Sequence, residues 1–230
     1  MNFVDIIIFA CILAGVLLGY KNGLVKTLVE LIGSVCIIIL AYVLKDILAD
    51  FLMGFMPFLN FAGAFNGLSS TNIIMYQIIS FVLIFVVLYC ILNILINLSG
   101  IVDKILKLTI IMRLPSKVLG ALVGVVEGVY FAFLVTFILF SLSFTTAFVD
   151  DSKFGKTVLE KTPFVNQVLA PTTLALEEIN PMIKEYEDKD LKNLNTNILT
   201  TLIYYNLVSK KDAEGFIKNK KIDLENVVFN

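Results

Sequence analysis

The chain has no histidine and only three cysteines, and just 16% of its 230 residues are charged. Without an imidazole it lacks the usual general base and the commonest metal ligand, which excludes catalysis of the Ser/His or Cys/His kind. Cys11, Cys36 and Cys90 are scattered through apolar runs without metal-ligand spacing, and an odd count makes no disulfide framework. They read as small apolar packing groups. An intramembrane aspartyl protease needs two facing aspartates, one typically in a Gly-x-Gly-Asp setting, and neither Asp5 nor Glu127 fits that pattern. The composition therefore points away from an enzyme, and no residue set suggests a cofactor or a metal. The formal net charge of -1 gives no reason to expect nucleic acid as a partner.

What fills the space is apolar: 58% of the residues are hydrophobic, against about 45–50% in a soluble domain. The few charges are segregated. Seven basic residues precede Val149, and the other eleven of the eighteen follow Asp150. This divides the chain into a membrane part, residues 1–149, and a polar, mainly helical C-terminal domain, residues 150–230. The class is an all-α membrane protein with four transmembrane helices, an interfacial helix and a small C-terminal helical domain.

The first apolar run, 3–20, is interrupted only by Asp5, and no basic segment precedes it, so it reads as a retained span rather than a signal peptide. Lys21, Asn22 and Gly23 make a tight turn into a second span over 24–44. Lys26 and Glu30 lie one helical turn apart in its first turns, and are expected to pair. From Lys45 to Thr71 the run is punctuated by Gly54, Pro57, Gly63 and Gly67, which suggests a short interfacial or re-entrant segment. A third span covers 72–99, with Asn93 and Asn97 on one face, placed to hydrogen-bond a neighbouring helix. Ile101 to Leu114 reads as an amphipathic interfacial helix ended before Pro115, which disfavours helix at the residue before it. The fourth span covers 118–148.

Short loops set orientation through their Lys and Arg content. The turn after span one holds Lys21 and Lys26, and that between spans three and four holds Lys104, Lys107, Arg113 and Lys117. Both turns are expected in the cytoplasm, with the C-terminal domain outside; Lys153, Lys156 and Lys161 count against this. In the tail, Leu191, Leu194, Ile198, Leu202 and Tyr205 recur at helical spacing, and Ser209 with Asp212 can cap a further helix ending near Lys220.

Two glycine tracks are the architectural signal: Gly15, Gly19 and Gly23 at one end, and Gly120, Gly124 and Gly128 at the other. Residues four apart nearly stack on one helical face, so each track is a strip without side chains along which backbones can approach closely. Leu134, on the same span as the second track, is expected to face lipid. A carboxylate within a span is expensive, about +2.5 to +3.5 kcal/mol for a central Asp on insertion scales, so one that persists faces the bundle interior. Glu127 is placed near the bilayer midplane along the glycine strip, and Asp5 in the sector of Gly15 to Gly23 but nearer the membrane edge. Glu127 lines an ion, proton or solute path, or fixes packing; the residues leave both open. For Asp5 packing is the better reading.

Asp5 near the start, Gly15-x3-Gly19-x3-Gly23, Glu30-x2-Gly33, and Pro115 followed by Gly120-x3-Gly124-x3-Gly128 together resemble the CvpA family, bacterial inner-membrane proteins of colicin V production. The resemblance covers roughly residues 1–147. It implies a non-enzymatic multi-pass protein of the bacterial cytoplasmic membrane, supporting production or export of a peptide toxin and envelope homeostasis. The residues leave an alternative: an oligomeric channel or transporter packed through the glycine strips, its path lined by Glu127. The partners expected are the lipid bilayer and either further copies of the chain or another membrane protein.

Overall fold

The structure is a computed structural model that describes residues 2–59, 67–98, 113–142, 145–185, 191–219 and 221–222. The described residues form nine helices and no strand. Helix α1, Phe3–Asn22, is started by Asn2. The Asn2 side chain accepts hydrogen bonds from the backbone N–H groups of Val4 and Asp5, and the Asp5 carboxylate accepts one from the Asn2 N–H at 2.9 Å. This is a capping box with Asp in the place of the usual Glu, and it satisfies donors that would otherwise be orphaned. Lys21 and Asn22 complete α1 rather than turning, and Gly23 alone makes the corner. At φ +76° it occupies a region glycine enters without penalty, and it is at once the last cap of α1 and the first of α2, Leu24–Phe55.

Helix α3 is Thr71–Leu98 and α4 is Arg113–Ser141, so α1 to α4 supply four helices long and apolar enough to cross a membrane. The protein is an all-α, multi-pass membrane protein. Helices α1 and α4 run antiparallel with their backbones nearly touching. A Cβ added at Gly15 would lie 2.1 Å from the Gly124 carbonyl oxygen, one at Gly19 2.2 Å from that of Gly120, and one at Gly128 2.7 Å from the Ile12 Cα. No side chain fits at any of these positions. Both tracks are thus spent on one seam within a single chain.

Three boundaries differ from the sequence expectation. Helix α2 does not end at Leu44 but continues to Phe55. Its 32 residues make about 48 Å, against a hydrocarbon core of about 30 Å, so its last turns extend beyond the span. Lys45, Ala49 and Met53 stay buried there, because the tail packs on this extension. Helix α4 starts at Arg113 rather than 118, with Pro115 inside its first turn; a proline there gives up an N–H that has no helical partner anyway. The far end of α4 stops at Ser141 rather than 148, in a Ser/Thr-rich stretch. Thr145 Oγ1 donates to the Leu142 carbonyl at 2.9 Å and Thr146 Oγ1 to that of Phe140 at 3.2 Å, which competes with continuing the helix. The centre of the expected re-entrant segment, 60–66, and all but the end of the expected interfacial helix at 101–114 fall outside the described residues.

Five further helices follow α4 and pack on the bundle: α5, Thr146–Asp150; α6, Gly155–Lys161; α7, Val165–Lys184; α8, Leu191–Tyr204; and α9, Lys210–Lys218. Leu194, Ile198 and Leu202 of α8 are buried, and Ser209 caps α9 through the Asp212 N–H at 3.1 Å. The tail is bonded to the spans at several points. Tyr42 of α2 shares a hydrogen bond of 2.9 Å with Thr172. Asn195 accepts from the Ser70 N–H at 2.9 Å and donates to the Gly67 carbonyl at 2.9 Å. Gln77 donates to the Leu207 carbonyl, and Lys221 Nζ to the Met53, Gly54 and Met56 carbonyls at the end of α2. A cation there complements the helix dipole as well as the free carbonyls.

Leu134 is buried, 6% exposed, and so does not face lipid. Leu122 on the same helix is 60% exposed and serves as the lipid-facing comparison. Gly124→Leu should destabilise the protein by at least the ~1–3 kcal/mol usual for an overpacked core, while Leu122→Ala should change little. Thermal unfolding in detergent reads the difference. Equal melting temperatures for parent and Gly124→Leu would mean that the backbones do not meet there.

Candidate functional site

Glu127 is the one acid in the middle of α4, and it is 6% exposed. Its neighbour Gly128 packs on Cys11 and Ile12, halfway along α1, which sets the carboxyl near mid-span. The glycines of α4 face α1. Glu127, on the flank of that strip, has its electrostatic neighbours on the other two spans: Glu30 of α2 and the Tyr89 hydroxyl of α3. Sequence spacing put Glu127 along the glycine strip; the bundle adds Glu30 of α2 and Tyr89 of α3 as its electrostatic neighbours.

The two glutamates differ in their support. Glu30 is held by the Asn22 side-chain amide at 2.8 Å and by Lys26 at 3.6 Å, as the one-turn spacing predicts. That places a neutralised ion pair near the start of α2. Glu127 makes no hydrogen bond or ion pair among the described residues. A carboxyl so placed can hold or pass a proton, or accept a cation. The described residues contain no group of three His, Cys, Asp or Glu side chains placed to hold a metal ion.

Asp5 is a different case. It is fully buried, and its carboxylate accepts from Ser152 Oγ at 2.5 Å and from the Phe154 N–H at 3.3 Å as well as from Asn2. The Asn2 side chain also donates to the Phe148 carbonyl at 2.5 Å. Asp5 is thus bonded to residues beyond the far end of α4. It fastens the start of α1 to the chain that follows α4. Nearby, burial works against ionisation of Asp150, but hydrogen bonds and charge from Lys184 and Lys156 outweigh it and hold the carboxyl below the usual carboxylate range. Sequence reading missed this fastening, since its partners lie some 150 residues apart and Ser152 carries no motif of its own.

The remaining expectations sort simply. Asn93 donates to the Tyr89 carbonyl of its own helix at 2.8 Å rather than to a neighbouring helix, and the Asn97 side chain lies outside the described residues. Of the three thiols, only Cys11 packs against the core, while Cys36 and Cys90 are on the outer surface of their spans. Lys45, where the sequence expectation starts the broken segment, is buried against Asp46 at 2.5 Å and over the Tyr42 ring.

Asp5→Asn should loosen the tail, because an amide cannot accept all the hydrogen bonds the carboxylate takes. Losing charged acceptors for buried donors costs about 1.5–3 kcal/mol. Limited proteolysis should then cut faster after Asp150 than in the parent. An unchanged cleavage rate would show that the Ser152 contact contributes nothing.

Residues 4–163 match the family described as colicin V production protein. The match runs past the expected limit near residue 147 and takes in Ser152 and Phe154, the partners of Asp5. No curated protein and no solved structure matches the chain.

Proposed function

The chain belongs to the colicin V production protein family, and from that premise we propose that it is a non-enzymatic component of the bacterial cytoplasmic membrane supporting production or export of a colicin V-like peptide toxin, and envelope homeostasis. The observation that carries this reading is the family match across all four spans and the first helices of the tail. The architecture agrees with it: two antiparallel helices locked backbone to backbone, and a tail bonded to the bundle end, make a scaffold that other proteins can dock on. In a toxin-producing strain, deleting the gene for this chain should lower extracellular toxin, and restoring the chain should recover it. Unchanged toxin export in the deletion strain would remove the reading.

The second reading is an oligomeric channel or transporter, and the observation favouring it is the buried Glu127 with Glu30 and Tyr89 as neighbours. Its oligomer would need a surface other than the glycine strips, which α1 and α4 occupy between themselves. Glu127→Gln keeps the volume and a hydrogen-bonding oxygen but removes the charge; Glu127→Leu removes both. If Glu127 lines a path, both variants abolish ion flux in proteoliposomes while still accumulating in the membrane. If it fixes packing, only Glu127→Leu suffers. Full activity in both would leave Glu127 without a role.

The orientation belongs to the same proposal: the basic turns are cytoplasmic and the tail is outside. Lys21 and Asn197 are exposed at opposite ends of the bundle and suit labelling, whereas Asn195 is buried. In a background lacking the native cysteines, an impermeant thiol reagent should label Asn197→Cys but not Lys21→Cys in intact cells. The reverse result inverts the orientation.

A further inference from the structure

Residues 148–164 carry three aromatic side chains that the fold leaves open: Phe148, Phe154 and Phe164, at 54%, 41% and 67% exposure. Here they fall close together in a segment of a polar tail. Their position along the bundle explains them. The Phe154 ring meets Phe9 edge to face, with centroids 5.4 Å apart. Phe9 lies about 9 Å along α1 from its first residue, on a face shared with Phe3, Ile6 and Leu13, all exposed and all apolar. That face is the lipid-facing side of the helix, and Phe154 continues it.

A second contact fixes the same depth independently. The Tyr130 hydroxyl of α4 donates to the Pro163 carbonyl at 3.3 Å. Gly128 packs on Ile12, so Tyr130 lies on the stretch of the bundle occupied by the first half of α1. The chain leaving α4 therefore does not move away from the bundle. It folds back along α1 and α4, and α6 lies beside them within the depth of the spans.

The third observation is Phe164 itself. Its backbone sits at φ +63°, where a bulky residue is a genuine outlier. Such strain persists only where the surroundings over-determine it. Pro163 is bonded to α4 on one side, and Val165 and Leu169 are buried on the other, so the backbone is pinned and the ring is driven outward. In water an outward ring gains nothing; in a bilayer interface it gains apolar burial. Lys153 and Lys161 are exposed on the same segment and are long enough to carry their ammonium groups up to the phosphate layer.

We propose that residues 148–164 form a collar embedded in the lipid interface, with Phe154 and Phe164 inserted among the acyl chains beside α1. The occupant of this surface is the bilayer itself. Asp150, Asp151 and Glu160 balance Lys153, Lys156 and Lys161, so insertion is apolar and does not need anionic headgroups. This goes beyond the proposed function and holds whether the protein is a scaffold or a channel.

The chain has no tryptophan, so each substitution to Trp gives a single reporter. Phe154→Trp, Phe164→Trp and, for comparison, Tyr204→Trp at the exposed last residue of α8 are reconstituted in phosphatidylethanolamine/phosphatidylglycerol vesicles. The first two should show blue-shifted emission, lose intensity when the lipids are brominated near the top of the acyl chain, and resist aqueous iodide. Tyr204→Trp should behave oppositely. A nitroxide on Lys161→Cys, in a chain lacking the native cysteines, reads the depth without touching an aromatic residue and should sit at the phosphate level. Iodide quenching of either Phe variant equal to that of Tyr204→Trp overturns the collar, as does a Lys161 label fully in water.

Discussion

The contact between the backbones of α1 and α4 is the constraint on which the rest of the structure depends. In lipid, apolar side chains gain nothing by leaving one hydrocarbon for another, so helix association must come from close packing. Here the packing is backbone on backbone: Gly15, Gly19 and Gly23 against Gly120, Gly124 and Gly128, with room for no side chain. Because the seam is antiparallel, it brings the start of α1 to the end of α4. That places Asp5 where Ser152 and Phe154 can bond it, and the tail is then drawn onto the bundle end. The seam also leaves the other flank of α4 to face α2 and α3, which is where Glu127 is found.

The tail is held by bonds spread over three spans rather than by one patch. Asp5 of α1, Tyr42 and the terminal carbonyls of α2, and Gln77 of α3 each bind a different part of it. A polar domain tied at so many points reports on the relative positions of the helices beneath it. Any movement of α2 against α1 would have to break or carry these bonds. In this respect the extension of α2 beyond the membrane is as important as its span, because Lys45, Ala49 and Met53 are where bundle and tail share a core.

Much of this was legible because the signals are local. The four apolar runs, the Gly23 corner, the Lys26–Glu30 pair, the helix through Leu194, Ile198 and Leu202, and the Ser209 cap all follow from spacing within one or two turns. The glycine tracks could be recognised as packing strips, but not that each is the partner of the other, since that pairing joins residues more than ninety positions apart. The end of α2 was misread because Lys45, Asp46 and Asp50 look like a loop until Lys45 is seen to be buried. Helix α7 was not anticipated at all: Pro171 and Pro181 both lie inside it, and tertiary burial of Leu169, Leu176 and Ile179 overrides what proline costs. The neighbours of Glu127 were hidden for the same reason as the pairing of the tracks, since a helical wheel gives angles on one helix and not what lies around it.

The most direct test of the seam is whether α1 and α4 meet within one chain. Ser116 Oγ accepts from the Leu24 N–H at 3.2 Å, beside the Gly23 corner. A chain carrying Leu24→Cys and Ser116→Cys, and lacking the three native cysteines, is oxidised in native membranes and resolved on a denaturing gel. The seam predicts a disulfide closed inside the chain, seen as a faster-running monomer that reduction returns to normal. A covalent dimer as the main product, or no crosslink at all, would contradict it.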